Sequence, residues 1–195
     1  MLFWVAVIGG VAVSYAALKK GVFPIWAVFF NTLISVYLGV MLLPVIAAVI
    51  PNSGTEAYFY SCSLCMLAVA VIAFVFLQTI ASNYFSGGFA VTFPVIFNNI
   101  VAATLGFITG YVATCFVLLV VSIMPITAHR FVSGTLDADH LAPAVKVPVT
   151  ATCNFIAIAS MQIYPDVAKG IIKDFAQQRK DFLDDAEKPE SPLEY

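Results

Sequence analysis

Between Met1 and Ala128 the chain carries only three side chains charged at neutral pH, Lys19, Lys20 and Glu56; the other seventeen lie between Arg130 and Tyr195. Folded domains in water carry about 25% charged residues, whereas this chain as a whole has 10%. A stretch so bare of charge finds its low free energy in hydrocarbon, where backbone polar groups must be satisfied within the fold and only helices or closed barrels can cross. The apolar runs are long enough to cross as helices. The expected fold class is therefore all-α: a polytopic membrane helix bundle over residues 1–128, followed by a polar C-terminal tail over 129–195.

Crossing a bilayer core takes about 20 apolar residues in a helix. Four runs approach or exceed that length: Leu2–Leu18, Val22–Ile50, Tyr58–Ile80 and Asn98–Met124. Lys19-Lys20-Gly21 closes the first, and Pro44 is expected to kink or end the second. Pro51-Asn52-Ser53-Gly54-Thr55-Glu56 is a polar turn, and Pro125 stops the fourth run. Between the third and fourth lies Ala81–Phe97, with Gly87-Gly88 and Pro94, too broken for a span and too apolar for a solvated loop; it reads as an interfacial or re-entrant segment. No basic stretch precedes Leu2, so the first run reads as a retained helix rather than a cleaved signal peptide.

In the tail, Val147–Tyr164 is moderately apolar, but Pro148, Asn154 and Gln162 count against a fifth span. Asp166–Asp184 has the pattern of an amphipathic surface helix. Ala168, Ile171, Ile172, Phe175 and Phe182 share one side, and Lys169, Lys173, Asp174, Lys180 and Asp181 the other. Ala186–Tyr195, with two prolines and three glutamates, is expected to be disordered. Lys19 and Lys20 place the first connection in the cytoplasm, so a four-span chain has both termini outside, with only Arg130 opposing.

Lipid is as apolar as leucine, so helices associate in it through close packing of small residues. Ladders at four-residue spacing occur on three runs: Ala6, Gly10 and Ser14; Asn31, Ser35 and Gly39; and Ala102, Gly106 and Gly110, continued by Thr114. Packing within the chain is the expected use of these faces, with a homo-oligomer seam or a pore lining as the alternative. Asn31 should point into the bundle. Gln78, Asn83, Asn98, Asn99 and Tyr111 are the other polar groups in or near the spans, read as interhelical hydrogen-bonding groups before ligand contacts.

A functional membrane site usually carries an ionisable side chain inside a span, and none lies within these runs. Cys62-x-x-Cys65 has no accompanying His or second pair, so its cysteines read as small hydrophobes. Cys115 and Cys153 complete a set too small for a disulfide scaffold, and His129 and His140 stand alone. No catalytic residue, metal ligand or cofactor site is expected, and the chain reads as a non-enzyme. A net charge of −2 without a basic stripe excludes nucleic acid as a partner. The expected partners are the lipid bilayer, further copies of the chain or another membrane protein.

Two motifs carry a family resemblance. Leu18-Lys19-Lys20-Gly21-Val22-Phe23 forms a basic-glycine connection between the first two spans; Asn98-Asn99 is followed by Ala102, Gly106, Thr109 and Gly110. Over residues 1 to about 126 the chain resembles the colicin V production protein (CvpA) family, small four-span proteins of the bacterial inner membrane. The charges of that family are replaced here: Asn98-Asn99 stand where Asp-Arg is usual, Thr109 stands for a basic residue, and Val5 lies near a customary Asp. The resemblance implies a scaffold or channel-like factor in toxin production and secretion or envelope homeostasis, with the tail presented outside. An accessory subunit or pore-forming effector of a larger membrane complex is the rival reading. A small-solute transporter is a weaker one, because the halves show no repeat symmetry.

Overall fold

The computed structural model describes residues 2–50, 56–85, 94–124, 138–160 and 167–186. Among them every element is a helix: α1 (Leu2–Lys20), α2 (Val22–Met41), α3 (Leu43–Val49), α4 (Glu56–Phe85), α5 (Val95–Ile123), α6 (Ala138–Ala159) and α7 (Val167–Ala186). The chain is an all-α bundle in which four helical stretches, Phe3–Lys20, Val22–Val49, Ala57–Asn83 and Val95–Ile123, are long and apolar enough to cross a membrane.

Local chemistry sets the ends. Gly21 takes φ 81°, a left-handed value that lets the chain reverse between α1 and α2. Pro44 has no N–H to continue the ladder, so α2 stops at Met41 and α3 resumes at Leu43 with that proline in its first turn. Pro94 precedes α5, where a missing N–H costs nothing. Met124 turns extended before Pro125, as a residue ahead of proline prefers.

The spans alternate in direction. Gly9 lies by Thr114 while Ala17 lies by Gly106, so α1 and α5 are antiparallel. Val22 meets Asn98 and Gly39 meets Phe116, so α2 and α5 run parallel. Asn31 meets Gln78 and Gly39 meets Met66, so α2 and α4 are antiparallel. At the centre stands α5, half of it buried, packed on α1, α2, α4 and α6. α4 is mostly peripheral, with Leu64, Val71, Ile72, Val75 and Phe76 facing outward.

Several boundaries differ from the sequence reading. In the segment read as interfacial, Ala81–Phe85 continues α4, because nothing before Gly87 breaks a helix, and Val95–Phe97 already belongs to α5. Residues 86–93 lie outside the described residues.

The tail is not a separate polar unit. Val145, Val149 and Cys153 of α6, and Ala168, Ile172 and Phe175 of α7, join the same core as Leu33, Val40, Leu119 and Val120. The apolar part of α6, Val145–Ala159, spans about 22 Å at the helical rise, short of a full crossing. It packs instead against α1, α2 and α5. α7 ends at Ala186; the segment read as disordered lies, from 187 onward, outside the described residues.

Candidate functional site

The most extensive helix–helix contact, α1 with α5, is made across glycine. Ala102, Gly106 and Gly110 are buried on α5, and Ala6 and Gly10 on α1. A methyl group built on Gly106 would stand 2.5 Å from Cβ of Ala17 and 3.0 Å from Cα of Ser14. One built on Gly110 would stand 2.6 Å from the carbonyl oxygen of Gly9, and Thr114 fills the space before Gly9 itself. Ser14 Oγ donates to the Ala103 carbonyl at 2.9 Å, adding an interhelical hydrogen bond to the close approach. The small-residue ladders of α1 and α5 are therefore filled by each other.

Asn98 ties a third helix to this seam. The N–H of Val22, one of the first-turn donors that a helix leaves unpaired, donates to Asn98 Oδ1 at 3.0 Å. A side chain of α5 thus performs on α2 the work of an N-cap residue, and Gly21 itself makes no side-chain cap. Lys19 lies over the Tyr15 ring, 4.7 Å from its centroid, and both lysines are exposed at this end of the bundle.

Deeper along α2, the buried Asn31 donates through Nδ2 to Gln78 Oε1 of α4 at 3.1 Å. Ser35 donates to the Asn31 carbonyl and Thr32 to the Val28 carbonyl. Gly39 lets α2 approach Phe116 and Ala70, each just over 3 Å from where its Cβ would be. A cleft of about 220 Å³ opens between α2, α4 and α5, lined by Thr32, Ser35, Phe74 and Phe116 among others. Both hydroxyl protons there are committed to the helix backbone, so the cleft offers an apolar surface. Asn83 and Asn99 are exposed, and Tyr111 stacks on Phe107 with ring centroids 6.1 Å apart. Cys62 is fully buried and Cys65 half-buried, both as free thiols. Among the described residues no group of His, Cys, Asp and Glu could hold a metal ion.

No protein-family model, no curated protein and no solved structure matches this chain.

Two features at the opposite end escape the sequence reading. Arg179 is buried on α7, and Nη1 donates to the carbonyl of Ser122 in the last turn of α5. That carbonyl lies at the negative end of the helix dipole, where a cation is favoured; burial lowers the pKa of the guanidinium. One turn on, Phe182 meets Phe59 of α4 with ring centroids 5.3 Å apart. The signal was present as spacing: Ala168, Ile172, Phe175, Arg179 and Phe182 fall on a single helical stripe, and the charge of Arg179 hid its membership. Val145, Val149, Cys153 and Ala157, all buried on α6, form a further ladder at four-residue intervals.

Proposed function

We propose that the chain is a non-catalytic, multi-pass protein of the bacterial inner membrane that acts as a scaffold in toxin production and secretion or in envelope homeostasis. The observation that carries this reading is the closed α1–α5 seam, in which Gly106 and Gly110 lie against Ala17, Ser14 and Gly9 with no room for a Cβ. A bundle locked in this way suits a fixed platform better than a gate that must part. The channel-like alternative draws little from the α2–α4–α5 cleft, whose walls are apolar.

The kinship with the colicin V production protein family is part of the same proposal, and Asn98 supports it. An Asp, usual at that position in the family, would offer the Val22 N–H the same acceptor. The basic-glycine connection likewise finds a physical role in the left-handed turn at Gly21.

In this reading Lys19 and Lys20 face the cytoplasm and both termini lie outside. Arg179 stands at the other end, by the last turn of α5, but it is further from that span in the chain than the roughly 15–20 residues over which positive charge governs orientation. A second reading, an accessory subunit of a larger membrane complex, draws on the outward ridge of Trp4, Ile8, Val11 and Tyr15 along α1.

Deleting the gene in its native host, and restoring it on a plasmid, tests the scaffold. The expected outcome is a reversible defect in peptide-toxin export or in tolerance of envelope stress, with proteoliposomes of the purified chain remaining sealed to small solutes. Solute flux through those vesicles would overturn it. Crosslinking from Ile8 in native membranes to one stoichiometric protein would favour the subunit reading.

A further inference from the structure

Between α6 and α7 lies an open cavity of about 470 Å³. Three lysines line it, Lys146 from α6 and Lys169 and Lys173 from α7, together with Thr150 and Asn154. The grouping follows from helical spacing. Residues 146, 150 and 154 succeed one another at four-residue intervals on α6, as do 169 and 173 on α7, so each set projects from one face.

Three ammonium groups on the lining of one cavity make a local excess of positive charge that suits an anion. No carboxylate lines this cavity among the described residues. Asp181 is hydrogen-bonded to Gln177 further along α7. Asn154 lines the cavity as well, but its Oδ1 is buried and out of a ligand's reach.

The remaining wall is apolar, formed by Val147, Ala151 and Ile172. Val147, Phe155 and Ile158 continue along α6 as an exposed apolar strip. Meanwhile α7 is anchored at the end of the bundle where α5 finishes and α4 begins, through Arg179 and Phe182. The cavity thus joins a cluster of cations to an apolar strip on a helix that packs among the spans.

From this we infer that Lys146, Lys169 and Lys173 form a binding site for a phosphate-bearing anion, its source an anionic phospholipid. The ammonium groups hold the phosphate oxygens, and the acyl chains lie along Val147 and the exposed strip of α6. Basic pockets between membrane helices bind such headgroups by the same combination. A free phosphate or pyrophosphate shares the anionic chemistry but makes no use of the strip.

The test uses the full chain in a neutral detergent, with cardiolipin, phosphatidylglycerol, phosphatidylcholine or pyrophosphate added, read by native mass spectrometry and thermal melting. Cardiolipin and phosphatidylglycerol should be retained and raise the melting temperature; phosphatidylcholine should do neither. Each lysine near a membrane surface contributes about fivefold in affinity, so the triple variant K146Q/K169Q/K173Q should bind about a hundredfold more weakly. Arginine at all three positions should retain binding, and added salt should weaken it in the wild type.

Should the triple glutamine variant fail to fold, the single variants and the salt titration carry the same comparison. Lysine-dependent stabilisation by pyrophosphate, with phospholipids held no better than phosphatidylcholine, would reassign the source to a soluble anion. Equal retention of every lipid and anion by wild type and glutamine variants would overturn the site. None of these readouts involves a protein partner or an export phenotype, so the outcome is independent of the scaffold proposal.

Discussion

The carbonyl oxygen of Gly9 and the α-carbon of Gly110 press two helix backbones together, and a methyl group added to Gly110 would lie 2.6 Å from that oxygen. The contact cannot relax by a rotamer change, because one partner is backbone. Gly110→Ala and Gly106→Ala should each destabilise the bundle by about 1–3 kcal/mol, the usual cost of overpacking. Gly106→Leu should prevent the native seam altogether. Thermal unfolding in detergent measures the alanine variants; wild-type melting for Gly110→Ala would show that α1 and α5 are not held in this way.

Asn98 offers a sharper chemical contrast. Its Oδ1 accepts from the N–H of Val22, so Asn98→Leu should cost about 0.5–2 kcal/mol, the range for losing a helix cap. Asn98→Asp keeps the acceptor and adds negative charge at the positive end of α2, so it should match or exceed the wild type. Equal losses in both variants, measured by melting, would mean that the side chain acts by shape alone.

The fold was legible in the sequence wherever one physical rule dominated. Charge depletion fixed the class, and Lys19-Lys20-Gly21 and Pro125 fixed boundaries, because solvation and proline sterics act locally. The extent of α4 was not legible from apolar run length, since Ala81–Phe85 contains polar residues that a helix tolerates. Docking of α6 and α7 was hidden for a different reason. Their apolar stripes are interrupted by Pro148 and Arg179, and only the partner surface on α2 and α5 shows that those stripes are buried. The lysine cavity needs two helices brought together, and nothing in either segment alone specifies that juxtaposition.

Gly170 predicts a gain rather than a loss. It sits within α7, and a Cβ built there meets nothing within 4 Å. Glycine inside a helix is less favourable than alanine by about 0.5–1 kcal/mol. Gly170→Ala should therefore stabilise α7 by that order, seen as slower amide exchange across Val167–Ala186. Faster exchange would reveal a need for this glycine that its surroundings do not show.

Cys153 should behave as a closed thiol. It is fully buried on α6, and burial pushes its pKa up to about 12, against about 8.5 for a free thiol. Since the folded value is the higher one, folding favours the neutral thiol. Its contribution to stability is complete below about pH 8.5 and is lost as the pH rises toward 12. In a background with Cys62, Cys65 and Cys115 changed to alanine, maleimide at pH 8 should label Cys153 only after unfolding. Rapid labelling of the folded chain would place α6 away from the core.

Arg179 links the tail to the spans at the Ser122 carbonyl. Ser122 lies in the last turn of α5, where carbonyls have no partner further along the helix and carry the negative end of its dipole. The guanidinium of Arg179 supplies both a donor and a positive charge there, and Phe182 adds the aromatic contact with Phe59. Arg179→Ala removes donor and charge together, at a cost of about 2 kcal/mol by the stronger cases of cations at helix C-termini. Arg179→Lys keeps the charge on a more compact, more strongly hydrated head and should fall between the two. The loss should be concentrated in α7, since the α1–α5 seam and the Asn31–Gln78 pair do not involve it. Trypsin should then cut after Lys169 and Lys173 several-fold faster in Arg179→Ala, with melting of the spans little changed. Unchanged cleavage would mean that Ala168, Ile172 and Phe175 alone hold α7 in place, and that the bond to Ser122 is incidental.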